Sequence, residues 1–353
     1  MVLQVPFEYM HLVCLGVMKK LLSAWVHGKY SKFSKLSARN ISVISERLNT
    51  LKEYCPSDFA RRPRSLEACS KYKATEFRQF LLYTGLAVTY VILDERLYKH
   101  FLFLHAAIKV LVSKSPSRLH LNFAKLALQK FVQRSESLYG SNFNSYNVHD
   151  LLHLPDDVRQ LSSLDSFSAF PYKNNMSIFR KYCRKPGLPL QQFSNRMAEI
   201  DIHGTNHNCD TDDSSIRVSV QRSAVGSRYR KIIFNKMLLS VDKRDNCCLL
   251  HDGSICIVHD IVRDNNVYFL VVKKFIDTGD FYDIGILSSA LQVYKCYTLS
   301  NDMFHVRLEE VSAKCYRMPL WNSTSANDSS SDEENHPEIS QYLVVAITHT
   351  EKI

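Results

Sequence analysis

Several short motifs that mark common enzyme classes are missing from this sequence. It has no G-x-S-x-G elbow, no phosphate-cradling G-x-x-x-x-G-K and no G-x-G-x-x-G fingerprint, so nothing in it points to a hydrolase, kinase or dehydrogenase. No C-x-x-C pair occurs among the ten cysteines, which removes the zinc-ribbon reading. Cys14, Cys55, Cys69, Cys183, Cys247 and Cys248 are scattered through apolar segments instead, as buried thiols of a reducing compartment are. The opening MVLQVPFEYMHLVCLGVMKK has no positively charged n-region, and Glu8 and His11 interrupt its apolar run, so it does not read as a signal peptide. The most apolar window, residues 80–93 (FLLYTGLAVTYVIL), is too short to span a bilayer and has a helical pattern. These absences together predict an intracellular protein with no membrane partner.

What is present suits a folded chain of two units. With 353 residues, 45% hydrophobic and 11% aromatic, each unit has enough apolar surface to bury a core. Charge is uneven: residues 1–200 carry 29 Lys and Arg against 14 Asp and Glu, whereas the remainder carries 16 against 21. A basic first part suits contact with nucleic acid, because neutralising phosphates releases condensed counterions.

Residues 16–182 read as helices joined by short breaks. Ile41, Ile44, Leu48 and Leu51 recur at helical spacing after a capping Ser37, with Pro56 beyond the end. Further helices are expected over 74–93, 95–112, 119–139, 148–161 and 176–183. At 202–227 the chain turns polar and rich in Ser, Asp and Asn, which reads as a linker. Short apolar runs follow at 247–250, 254–262, 267–272, 291–297, 304–308 and 342–347, broken by turn signals. That pattern predicts a small antiparallel β-barrel, SH3-like or BAH-like, over 228–353. Within it the acidic, serine-rich stretch 322–337 reads as a disordered loop. The expected class is α+β multidomain, with a helical domain at 1–201.

Two histidine groups have ligand-like spacing. His149 and His153 fall at i and i+4 on one helix face, with Asp156 and Asp157 close by, a pattern that can bind metal but more often caps or packs. His203, His207 and Cys209 lie in the linker and lack a fourth ligand for a structural zinc. Three basic and aromatic sets could grip phosphate and stack on bases: Arg61, Arg62 and Arg64; Lys71 and Lys73 around Tyr72; and Arg180, Lys181, Arg184 and Lys185.

The segment EYMHLVCLGV, from Glu8, resembles the D-x-M-H-L-x-x-L-G-V stretch of CACTA-type (En/Spm-like) cut-and-paste transposases. Four further blocks follow in that family's order: KATEFRQFLLYTG from Lys73, SYNVHDLLHLPDDV from Ser145, LDSFSAFP from Leu164 and PLQQFSNRMAE from Pro189. The resemblance covers about the first 200 residues and implies a partial ribonuclease H-like core with a helical insertion. It also implies ancestral DNA strand transfer by carboxylates holding two Mg²⁺ or Mn²⁺ ions. Glu8, Glu76 and Glu199 are the candidate remnants of the acidic set, and Glu8 with His11 the candidate metal ligands. Departures from the family's pattern predict a truncated or inactive copy. The family's first aspartate lies upstream of the Glu8 block, its second appears here as Glu8, one methylene longer, and its F-P-F-E-N appears as Phe170-Pro171-Tyr172-Lys173-Asn174.

The resemblance thus implies DNA as a partner and a nuclear location. A second reading is a non-catalytic module that contacts DNA or chromatin, its barrel reading a peptide or mark through Tyr268, Phe275, Phe281, Tyr282 or Tyr294.

Overall fold

The structure is a computed structural model that describes residues 6–203, 216–220, 228–321 and 341–348. Most of the expected linker, with His207 and Cys209, and the acidic stretch 322–337 lie outside these residues. The described part before residue 204 is helical and contains no strand, and the part after residue 216 is an antiparallel sheet.

The helices are α1 (Lys19–His27), α2 (Ala38–Thr50), α3 (Ala74–Gln79), α4 (Gly85–Thr89), α5 (Glu95–Leu111), α6 (Arg118–Tyr139), α7 (Tyr146–Asp150), α8 (Leu154–Leu161), α9 (Phe170–Tyr182) and α10 (Pro189–His203). Side-chain caps set several starts: Ser37 Oγ accepts the Asn40 N–H, Ser117 the His120 N–H and Asp94 the Arg96 N–H. Proline opens α8 and α9, where its missing N–H costs nothing. Helix α5 is apolar nearly all round and is the central helix, packed along α6.

Two stretches are π-helical, Met10–Met18 leading into α1 and Phe80–Thr84 between α3 and α4. Each involves a glycine at its wide turn. The Gly85 N–H donates to Phe80 O, and a Cβ on Gly85 would lie 2.5 Å from that oxygen. A Cβ on Gly16 would lie 2.9 Å from His11 O and 2.6 Å from the Asn147 side chain.

The strands are β1 (Arg217–Val220), β2 (Arg228–Phe234), β3 (Met237–Ser240), β4 (Cys247–Leu250), β5 (Ile255–Asp264), β6 (Val267–Lys274), β7 (Thr278–Asp280), β8 (Val293–Cys296), β9 (Phe304–Arg307), β10 (Val311–Pro319) and β11 (Tyr342–Ala346). Two-residue turns with positive φ at Asn235-Lys236 and Asn265-Asn266 join β2 to β3 and β5 to β6, as the twist of a hairpin requires.

The strand order is β1-β2-β5-β4-β10-β11-β8-β7, with β3 on β2 and β6 joining β5 to β9. The expected closed barrel is therefore an open, branched sheet. The reason lies in two strands that change partner part-way. β5 pairs β4 through its first half and β2 through its second, with a bulge between Val258 and Asp260. β10 pairs β4 up to Lys314 and β11 from Cys315 onward. The sheet splays at these strands instead of carrying one stagger around a closed ring.

Apolar side chains of β2, β5, β6 and β9 form one cluster around Ile232, Ile261, Leu270 and Val306, and Cys247, Ile255, Cys315 and Val344 form another. The largest cluster crosses from helices to sheet: Trp25, Leu51, Tyr83, Phe101 and Ile108 share it with Tyr282, Val293, Tyr316, Met318, Leu343 and Val345. Polar contacts follow the same seam. Lys109 Nζ donates to Ala346 O at 2.7 Å, and Lys314, its side chain 2% exposed, lies between Asp58 and Asp245. Asp245 also accepts the Ser57 N–H and hydroxyl, each at 2.9 Å. The described cysteines are all free thiols, and all but Cys183 are buried.

Candidate functional site

Four of the five sequence blocks meet at one place on the helical region. Glu8 precedes the first π-helical turn. Its Oε1 accepts the N–H groups of Met10 (2.8 Å) and Ala169 (2.7 Å), and its Oε2 accepts the His11 N–H (2.8 Å) and lies 2.5 Å from His11 Nδ1. Burial pushes the Glu8 pKa up, but hydrogen bonds from Ala169, Met10 and His11 outweigh it and hold the carboxyl below its usual value. The Phe7 N–H donates to Asp157 Oδ2 at 3.1 Å, and the Phe7 ring stacks on His153. Arg78 lies 3.6 Å from Asp165 and 4.0 Å over the Phe170 ring, which meets Tyr9 edge-on. Beneath them burial pushes the Cys14 thiol up to about 12.

The three candidate carboxylates are not gathered. Glu8 is occupied as a cap for the turn at Met10 and a tie to Ala169. Glu76, its side chain 3% exposed, takes two bonds from Arg64 and accepts the Lys73 N–H at the start of α3. The space beside it, lined by Arg64, Tyr72 and Gln79 among others, is about 10 Å³, room for no more than a single water. Glu199 is exposed on α10 and paired with Arg196 at 2.6 Å. Among the described residues only His149, Asp150 and His153 form a group of three His, Cys, Asp or Glu side chains able to reach one metal ion. Asp156 is paired with Lys125 and Arg159, and Asp157 holds the Phe7 N–H.

The candidate phosphate contacts fall in two places. Arg61, Arg62, Lys71 and Lys73 are exposed around the loop before α3, while Arg64 is taken up by Glu76. Arg180, Lys181, Arg184 and Lys185 are exposed where α9 turns into α10. The two helices touch through Phe179 and Phe193, with Tyr172, Met176 and Leu190 exposed nearby. No helix among the described residues is long and apolar enough to cross a membrane.

Most of the aromatics considered as a cage are taken up in packing, and only Phe281 and Tyr282 among them are seen to meet, edge-on with ring centroids 6.3 Å apart. Phe275 and Tyr282 are buried, Phe281 packs on Tyr90, Tyr282 on His105, and Tyr268 on Tyr229. An open hollow on the sheet is lined instead by His251, Val267, Arg307, Glu309 and Glu310. Asp150, the Arg78–Asp165 pair and the Lys314 triad escape sequence reading. The charges of Arg78 and Asp165 lie inside two of the recognised blocks, yet only the fold brings them together.

Residues 213–328 match the model of a protein family described only as a domain of unknown function (DUF8592), a span that takes in β1 to β10. No curated protein and no solved structure matches the chain.

Proposed function

We propose that the chain is a transposase-derived, DNA-associated protein that carries out no strand transfer. The observation that carries this reading is the meeting of four blocks at Glu8 while the acids among them are committed elsewhere: Glu8 to three backbone N–H groups and Glu76 to Arg64. A carboxylate that must surrender such bonds to reach Mg²⁺ makes a poor ligand. On this reading the helical region is a remnant of the ribonuclease H-like core with its insertion, and the sheet is a splayed relative of SH3-like or BAH-like barrels. On the same reading the basic first part supplies the affinity for DNA and the protein works in the nucleus.

The α9–α10 turn is the better of the two basic surfaces. Its four cations have no carboxylate partner among the described residues, and Tyr172 and Phe179 are exposed beside them for stacking. Salt-dependent binding of the full chain to duplex DNA tests the reading, with a nicking assay in Mg²⁺ run in parallel. Binding without nicking is expected. Replacing Arg180, Lys181, Arg184 and Lys185 together by Ala should make the log–log salt slope shallower by about 3 to 4. No binding at low salt would sink the DNA reading, and nicking abolished by Glu8→Ala would overturn the loss of catalysis.

A further inference from the structure

The geometry points to a transition-metal site formed by His149, Asp150 and His153, where α7 ends and a single 3-10 turn, Leu151–His153, begins. One potential ligand atom from each lies within 4.8 Å of the others, and His149 Nδ1 is 3.7 Å from Asp150 Oδ1. A tetrahedral zinc with bonds of about 2.0–2.1 Å holds its ligands about 3.3 Å apart, so small side-chain rotations close the set. Two imidazoles and one carboxylate favour Zn²⁺, Co²⁺ or Ni²⁺ over Mg²⁺ or Ca²⁺, which prefer oxygen throughout.

The backbone beneath the set is anchored. Val148, Leu151 and Leu154 are fully buried and flank the three ligands along the turn. His149 and His153 are exposed and Asp150 is half-buried, which leaves an entry path and a fourth position for water. The His153 ring is braced by Phe7, 5.6 Å away and nearly parallel. Nearby carboxylates do not compete: Asp156 is held by Lys125 and Arg159, and Asp157 by the Phe7 N–H. No Lys or Arg is seen to pair with Asp150 among the described residues. Because Phe7 joins His153 to the Glu8 segment, an ion here stiffens the junction between the chain's first turn and α8.

The test is Zn²⁺ titration of the full, reduced chain against a chromogenic chelator, with Co²⁺ absorption reporting coordination geometry. One equivalent bound at micromolar concentration, with the intense visible bands of tetrahedral Co²⁺, is the expected result. His149→Ala, His153→Ala and Asp150→Asn each remove one surface ligand, and circular dichroism checks that each variant folds. Each histidine variant should lose more than the roughly 10–100-fold that follows loss of a ligand's outer partner. Absence of a tight equivalent, or the same affinity and spectrum in the double histidine variant, would overturn the assignment.

Discussion

Helix α5 carries two histidines and a lysine into the core, and their partners fix how stability responds to pH. His105 Nδ1 lies 2.9 Å from Leu81 O, while its Nε2 has no partner, so the ring is neutral with its proton on Nδ1. Burial lowers its pKa to about 3. His100 donates from Nε2 to Phe131 O and accepts at Nδ1 from the Tyr139 hydroxyl, which in turn takes the Trp25 N–H; burial lowers its pKa to about 4. Unfolded histidines take up protons below about pH 6.5, and these two do so only near 4 and 3, so stability falls as pH drops through that window. Urea unfolding across pH 3–7 should show this slope, and His105→Gln should reduce it by about one proton, ~1.4 kcal/mol per pH unit. Lys109 adds a second window. Burial lowers its pKa to about 7 against about 10.4 unfolded, so the unfolded chain holds one more proton between these values and stability rises with pH. Lys109→Met should abolish that alkaline rise. Glu8→Ala removes the acceptor of three backbone N–H groups and should cost about 1–3 kcal/mol in the same assay. That Glu8 is an acid opening a helical block is legible in the sequence. That its partners include Ala169 is not, because that contact exists only once the chain has folded back.

Among the elements, those whose apolar pattern is uninterrupted are the ones a sequence displays. β4 and the β5–β6 hairpin are of this kind, as are α5 and α6, whose bounds fall within a residue or two of expectation. β10 is hidden because Lys314 and Arg317 break its run (VSAKCYRMP). Both are nonetheless buried, Lys314 between Asp58 and Asp245 and Arg317 against the rings of Tyr54 and Tyr342. β2 is masked in a similar way by the alternating Arg, Lys and Tyr of RYRKIIF, and β3, MLLS, is only four residues long. Helix α9 starts six residues before its expected position because Phe170 and Pro171 already belong to its first turn. Lys314→Met strands two buried carboxylates and should cost roughly 3–5 kcal/mol by chemical denaturation. Adding Asp58→Asn and Asp245→Asn should restore part of that loss, since the cost lies in the unpaired charge.

At the scale of the molecule, helices give way to strands within the polar stretch 202–227, and that change is open to reading, whereas the end of α10 and strand β1 inside the stretch are not. A shared core is not, because a sequence shows that a face is apolar without naming what covers it. Residues 1–203 expressed alone would expose the sides of Trp25, Tyr83 and Phe101 that meet Tyr316 and Leu343 in the whole chain. That fragment should bind a hydrophobic dye or precipitate, whereas the full chain should unfold in one transition followed equally by helical and by aromatic signals.

The two wide turns at Gly16 and Gly85 also bear on how this chain is to be aligned with any other. A hydrogen-bonded ring closed over five residues holds one residue more than an α turn, and here it closes beside a residue that has no Cβ. A counterpart with a regular helix at either place would be one residue shorter there. A gap set elsewhere would rotate every later side chain of that helix by about 100° and match core positions to surface ones.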